Sequence, residues 1–137
     1  MRSKLRRGLV VAAAVLAAFL ATTLLALEGQ EVVVLRTFDG DGNAHETRTW
    51  VADEDGFVWI ESANPERKFY RHVLKNSHVE LKRGGVVLSF TATPAVNPEG
   101  HLRIRRLLRE KYGWADRWIG LIADTSESIA LRLEPLQ

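Results

Sequence analysis

Hydrophobic and polar residues follow two different patterns along this chain. No charged residue occurs from Gly8 to Leu27, and a helix of these twenty residues would be about 30 Å long, enough to cross a bilayer. After Leu27, apolar and polar residues alternate over short segments that are separated by glycine, proline and aspartate. The pattern therefore divides the chain into an apolar leader, residues 1–27, and a mixed domain, residues 28–137.

The leader is interpreted as an uncleaved transmembrane anchor, with a cleaved secretory signal as the alternative. Its apolar run is longer than the core of most signal peptides, and Leu24–Glu28 lacks a small-x-small cleavage pattern. The positive-inside rule predicts a single-pass protein with a cytoplasmic N-terminus and the domain on the outer side of the membrane. Four basic residues precede the run, namely Arg2, Lys4, Arg6 and Arg7.

The domain is predicted to be a small, mostly antiparallel β-barrel of α+β class, because its six strands are joined mainly by short turns. Helices are inserted after the third and fifth strands. The predicted strands are Glu31–Thr37, Glu46–Ala52, Phe57–Ser62, His78–Lys82, Val86–Val96 and Glu127–Glu134. The predicted helices are Pro65–Lys75, Leu102–Tyr112 and Trp114–Leu121.

Composition removes several classes of function. Without the leader, 15 basic residues stand against 17 acidic ones, so the domain carries a net charge of −2 and shows no sign of general nucleic-acid binding. There are no cysteines, which excludes disulfides and thiolate chemistry. The four histidines follow no metal-binding spacing and are interpreted as scattered surface or packing residues, so no metal site is predicted.

A candidate ligand site lies between Glu46 and Asn76. If Glu46–Ala52 and Phe57–Ser62 form a hairpin that leads into the next helix, Arg48, Ser62, Arg67 and Lys68 come together near a helix start. Cations, a hydroxyl and a helix N-terminus are the groups that bind a phosphate. The alternative is an ordinary solvated charged surface.

Two other features of the sequence have competing interpretations. The helix Leu102–Tyr112 carries five cations, which would either contact lipid phosphates or form a solvated face. Trp114 and Trp118 are four residues apart and would form either an aromatic wall for a flat ring or part of the core. No side chain is a convincing catalyst, since nothing places two carboxylates together.

Several short motifs are spread across residues 31–135, namely Val32–Thr37, Asp55–Gly56, Tyr70, Asn76, Val79–Leu81, and Trp118 together with Ile129–Pro135. Together they resemble the pyridoxamine-phosphate-oxidase-like split β-barrel, in particular its nitroreductase and deazaflavin-dependent branch. The resemblance implies a six-stranded split barrel with short helices, usually a homodimer, that binds FMN or the deazaflavin F420. By matching position, it implies that Arg48, Thr49, Ser62, Arg67 and Lys68 hold the phosphate.

The resulting hypothesis is a membrane-anchored oxidoreductase that reduces a quinone or nitro-type small molecule. Its cofactor carries the chemistry, and Tyr70 is a candidate contact on the substrate side. The rival hypothesis is a non-catalytic barrel of the same shape, without a cofactor, that serves as a binding or assembly module outside the membrane. The sequence leaves FMN, F420, haem and no cofactor open.

Overall fold

The computed structural model describes residues 2–137, so Met1, the first residue of the predicted leader, lies outside the described part of the chain. Within it, the α+β class and the barrel-like sheet are confirmed, with seven strands in place of six. The elements are α1 (Arg2–Glu28), β1 (Val33–Phe38), β2 (Ala44–Thr49), β3 (Ala52–Glu54), β4 (Phe57–Ser62), α2 (Lys68–Lys75), β5 (His78–Arg83), β6 (Val86–Pro94), α3 (Glu99–Tyr112), α4 (Trp114–Gly120) and β7 (Ile129–Pro135).

All seven strands belong to one sheet in the order β2-β1-β5-β6-β7-β4-β3, and every neighbouring pair is antiparallel. The two edge strands, β2 and β3, follow each other in the chain with only Trp50 and Val51 between them. From Thr49 to Ala52 the chain spans at most about 11 Å even when fully extended. The sheet must therefore curl until its two edges come close, which makes it a partly open barrel.

The prediction of one strand over Glu46–Ala52 is wrong. Most of the hairpin predicted between this strand and Phe57–Ser62 is also absent. Residues 44–49 pair with β1 at one edge of the sheet, and only Ala52–Glu54 pairs with β4 at the other. The break follows from tertiary contacts. The backbone N–H and C=O of Val51 form hydrogen bonds with the Tyr112 hydroxyl and the Lys111 side chain instead of with a neighbouring strand. The sequence shows no sign of this break, because its alternation of residue types continues through Trp50 and Val51.

The hydrophobic core has two parts because successive residues of a strand point to opposite faces. Inside the barrel, Leu35 and Ile60 are fully buried together with residues from most of the other strands. On the outer face, Trp59 and Ala130 pack beneath α3 and α4. The helices after β6 therefore cover one outer face of the sheet, and a cavity lies where this cover meets the sheet edges.

Two helix starts differ from prediction. The helix predicted from Pro65 begins at Lys68, because Asn64 accepts a hydrogen bond from the Glu66 backbone N–H and forms a turn of its own. The helix predicted from Leu102 begins earlier, at Glu99. Residues 114–120 form the predicted short helix, α4.

The apolar leader forms α1, whose residues from Ser3 onward make one helix long and apolar enough to cross a membrane. A signal sequence would have the same property. Most of its side chains are exposed, but Ala26 is buried and the Trp118 indole N–H donates a hydrogen bond to the Thr23 hydroxyl at 3.0 Å. The last turns of α1 thus pack against α4.

Candidate functional site

A cavity of about 350 Å³ opens at the place where the two sheet edges, α1 and the helical cover meet. This volume is within the range of small-ligand sites. Its walls come from α1, β2, β4, α3, α4 and the segments that connect them to the rest of the fold, so no short stretch of sequence defines it. The lining residues are Leu27, Glu28, Val32, Arg48, Thr49, Trp50, Glu61, Arg67, Leu108 and Ile119.

The cationic side of the cavity consists of Arg48, at the end of β2, and Arg67, directly before α2. The Arg48 guanidinium is largely exposed and forms an ion pair with Glu28 at the end of α1. The Arg67 guanidinium carbon lies 6.0 Å from the centre of the Phe69 ring. Two arginines that reach one cavity from different elements provide several N–H donors for an anion.

The aromatic side of the cavity is Trp50, which is stacked on Tyr112 with ring centres 4.4 Å apart and planes at 10°. The Tyr112 hydroxyl accepts a hydrogen bond from the Val51 N–H at 3.0 Å and lies 2.8 Å from the Glu31 carbonyl oxygen, to which it donates. Burial raises the pKa of Tyr112 to about 12, so its hydroxyl keeps its proton at neutral pH. Trp50 is therefore held by a fixed and neutral partner.

The acidic side of the cavity includes Glu61, which is bound to Arg105 at 3.0 Å. Arg105 also binds Asp116 at 2.7 Å, and all three side chains are mostly buried. Burial by itself would lower the pKa of Arg105, but the two carboxylates outweigh it and raise the pKa. This triad joins β4, α3 and α4 behind the cavity, and it holds the Glu61 carboxylate in an ion pair.

The predicted phosphate-binding residues divide into two groups. Arg48, Thr49 and Arg67 line the same cavity, although Arg48 arrives there by the curl of the sheet rather than through the predicted hairpin. Ser62 is fully buried, and its hydroxyl donates to the Asn64 carbonyl oxygen at 2.8 Å. Lys68 is exposed at the start of α2 and is outside the cavity lining.

Tyr70, the predicted contact on the substrate side, is partly buried against the interior of the barrel. Sequence reasoning missed Trp50, Glu28 and Glu61. The one available signal was position: Glu28 is the first charge after the apolar run, and Trp50 interrupts a strand of polar residues.

Two of the histidines that seemed scattered are in fact adjacent. The rings of His45 and His72 are 4.7 Å apart; His45 binds Asp39 at 2.7 Å, and the Thr37 hydroxyl lies 3.0 Å from Nδ1 of His72. Burial, with His45 as a further cause, lowers the pKa of His72. Within residues 2–137, no group of three or more histidines and carboxylates could hold a metal ion.

The structure also bears on the competing interpretations of the basic helix, α3, and of the pair Trp114 and Trp118. In α3, four of the five cations bind carboxylates of the domain itself, with Arg103 and Arg106 both on Glu54 at 2.7 and 2.6 Å. Trp118 is partly buried beside α1, whereas Trp114 is half exposed, so core packing is wrong for Trp114.

Comparison with known proteins supports the fold. No protein-family model matches the chain, and no curated protein matches its sequence. Among similar solved structures, a candidate pyridoxamine 5'-phosphate oxidase from Listeria innocua has a TM-score of 0.60 and 18% identity over 83% of this chain and 90% of its own. An F420 reductase has a TM-score of 0.53 and 16% identity over 83% and 93% of the two chains.

A third similar structure, the heme storage protein HutZ from Vibrio cholerae, has a TM-score of 0.61 and 12% identity over 82% of this chain and 86% of its own. Identities this low establish the fold alone. The resemblance to the pyridoxamine-phosphate-oxidase-like split barrel is thus confirmed at the level of fold.

Proposed function

We propose that residues 28–137 form a flavin- or deazaflavin-binding split-barrel domain, held at a membrane by residues 1–27, that reduces a quinone or nitro-type acceptor. One observation carries the proposal: Arg48, Thr49 and Arg67 line one cavity that also contains Trp50. A phosphate-bearing ring system needs both features, cations at one end and a flat apolar contact at the other. The structurally similar F420 reductase agrees with this choice of ligand class.

The residues of the cavity fit FMN or F420 in the following way. Arg48 and Arg67 would bind the phosphate through charge-assisted hydrogen bonds, and the Thr49 hydroxyl would add one more. Trp50 and Ile119 would contact the ring. A bound flavin would supply hydride or electron transfer, while this chain binds and orients it. No catalytic residue is assigned.

The other predicted site residues have indirect roles in this proposal. Ser62, through its hydrogen bond to Asn64, shapes the segment that leads to Arg67. Lys68, which follows Arg67 in the chain, carries its charge on a long side chain and would add long-range attraction for a phosphate. Tyr70 remains the candidate contact on the substrate side, on the helix that follows Arg67.

The carboxylate of Glu28 opposes an anion in this cavity. It already pairs with Arg48, so a phosphate would have to displace it. This ion pair favours a second function, a cofactor-free binding or assembly module in which α1 stays attached at the cavity. The two functions differ in whether the cavity accepts a ligand at all.

The proposed location is a membrane with α1 as a single span, the N-terminus in the cytoplasm and the domain outside. A quinone acceptor would be available there. The proposed assembly is a homodimer, for which Val86 and Leu88 on β6 offer exposed apolar surface. Light scattering of the full chain in detergent would give twice the protein mass of the monomer.

The test is ligand binding by the full chain in detergent, with FMN, F420 and hemin added separately. We expect a shifted flavin absorbance spectrum and a higher melting temperature with FMN or F420. The variant Arg48→Ala with Arg67→Ala should weaken binding at least about a hundredfold, because each charge-assisted hydrogen bond contributes about 1.5–3 kcal/mol.

The matched control is Arg71→Ala with Lys75→Ala, which removes two exposed cations from α2 outside the cavity lining. It should bind FMN as the unchanged protein does. Equal weakening in both double variants would indicate general electrostatic attraction and no specific site. No binding of any of the three cofactors would favour the cofactor-free module.

A further inference from the structure

The short helix α4 carries more exposed apolar surface than a water-facing helix needs. Trp114 and Ile122 are half exposed, and Leu121, which follows the helix, is 82% exposed. Trp114, Trp118 and Leu121 also line one shallow concavity on this surface. Nothing else in the described chain covers these side chains.

This apolar surface continues directly onto α1. The Trp118 ring lies 5.6 Å from the Phe19 ring, and its indole N–H binds the Thr23 hydroxyl. The neighbouring side chains Leu20 and Leu24 of α1 are likewise exposed. Because the packing fixes α4 beside the last turns of α1, whatever solvent surrounds those turns also meets α4.

We propose that α4 and Leu121–Ile122 form a second membrane-contacting element that lies in the outer interface of the bilayer beside α1. The inference rests on the proposed anchoring by α1. The proposed partner of this surface is lipid, because α4 adjoins a helix that is long and apolar enough to cross a membrane.

The depth of α4 follows from helix geometry. Thr23 precedes Leu27, the end of the apolar run, by four residues, or roughly 6 Å along the helix. The Trp118 indole is therefore just below the boundary between hydrocarbon and headgroups. Tryptophans are enriched at this level, where an apolar ring and a polar N–H both find partners.

The charge of the same surface fits this position. Arg117 is exposed on α4 and lines the same concavity as the two tryptophans, so its guanidinium can reach lipid phosphates. The cations of α3 differ, since most of them are bound to carboxylates of the domain. The membrane contact therefore depends mainly on the apolar side chains of α4.

The experiment uses the full chain, which has no cysteine, with one cysteine introduced at a time and labelled with the fluorophore NBD. Leu121→Cys reports on the proposed contact, and Ile122→Cys repeats the measurement. Leu20→Cys reports on α1, and Leu74→Cys, an exposed leucine of α2, is the matched control. Each protein is placed in phosphatidylcholine vesicles that contain spin-labelled lipid as a quencher.

We expect labels at Leu121 and Leu20 to be quenched severalfold more than the label at Leu74. Quenching at Leu20 together with water-like emission at Leu121 would overturn the inference and leave the anchor intact. A blue-shifted but unquenched label at Leu121 would overturn it in favour of contact with a second copy. Absence of quenching at both Leu20 and Leu121 would overturn the anchor and the inference together.

Discussion

Arg48 pairs with Glu28, a residue twenty positions earlier in the chain, and both side chains line the cavity. A phosphate in this cavity would compete with the Glu28 carboxylate for the Arg48 guanidinium. At the scale of single residues, the proposed function therefore depends on how easily one exposed ion pair is exchanged. Ion pairs with this exposure are weak, with about 0–1 kcal/mol each.

Glu28→Gln should tighten FMN binding by about fivefold, the equivalent of about 1 kcal/mol for one exposed ion pair. The substitution removes the competing charge and keeps the length of the side chain. Fluorescence titration of FMN with the full chain in detergent measures the effect. The control is Glu66→Gln, which removes an exposed carboxylate outside the cavity lining and should leave the affinity unchanged. Weaker binding in Glu28→Gln would contradict the competition.

The sequence indicated Arg48 and Arg67 as neighbours, and the family resemblance added Thr49, but neither could show why they meet. Their side chains converge because the sheet curls, whereas the predicted reason was a hairpin that does not exist in that form. Ser62 was indicated because hydroxyls bind phosphates. Its position at the inward-facing end of β4 buries it, and the residue type alone does not reveal that.

At the scale of elements, the crossing from β2 to β3 determines the shape of the barrel. Trp50 and Val51 carry the chain from one sheet edge to the other, and both are held by Tyr112 at the end of α3. Because the crossing residues make no ladder hydrogen bonds, the Val51 N–H depends on the Tyr112 hydroxyl, while Lys111 donates to the Val51 carbonyl oxygen.

Tyr112→Phe should lower the free energy of unfolding by about 1–3 kcal/mol, the cost of leaving a buried backbone group without its partner. Urea unfolding of the full chain in detergent, followed by tryptophan fluorescence, measures this change. Tyr70→Phe is the control, since the Tyr70 hydroxyl makes no hydrogen bond within the described chain and its loss should change little. Equal stability of the two variants would show that the Tyr112 hydroxyl does not hold the crossing.

Element types were largely predictable because apolar and polar residues alternate in segments such as Leu131–Glu134, where Leu131 and Leu133 are fully buried and the residues between and after them are not. Pairing partners were not predictable in the same way. The break at Trp50–Val51 comes from contacts with α3, about sixty residues later in the chain. A local pattern contains no information on such a contact, so the sequence predicted one strand where the structure has β2 and β3.

At the scale of the whole molecule, one cluster of ion pairs joins four separate parts of the fold. Arg83 at the end of β5 binds Asp53 of β3 at 2.8 Å and Glu31, in the segment after α1, at 2.6 Å. Lys111 of α3 also binds Glu31. This cluster links the start of the barrel to both its far edge and its helical cover.

Hydrogen bonds from Arg83 lower the pKa of Glu31 and of Asp53 below their ordinary values of 4.5 and 3.8. A carboxylate whose pKa is lower in the folded state stabilises the fold above its unfolded pKa, and this stabilisation is lost as pH falls through the folded pKa. We therefore expect the contribution of this cluster to the urea midpoint to be level above about pH 5 and to fall steadily below about pH 4.5.

Arg83→Gln should lower the urea midpoint at neutral pH and flatten its dependence on pH in the acid range, because the two carboxylates lose the partner that lowers their pKa most. Arg71→Gln is the control: it removes the same charge from a residue without an ion pair in the described chain, and should keep the acid dependence of the unchanged protein. Parallel acid profiles for the Arg83→Gln variant and the unchanged protein would show that Arg83 does not stabilise the fold through Glu31 and Asp53.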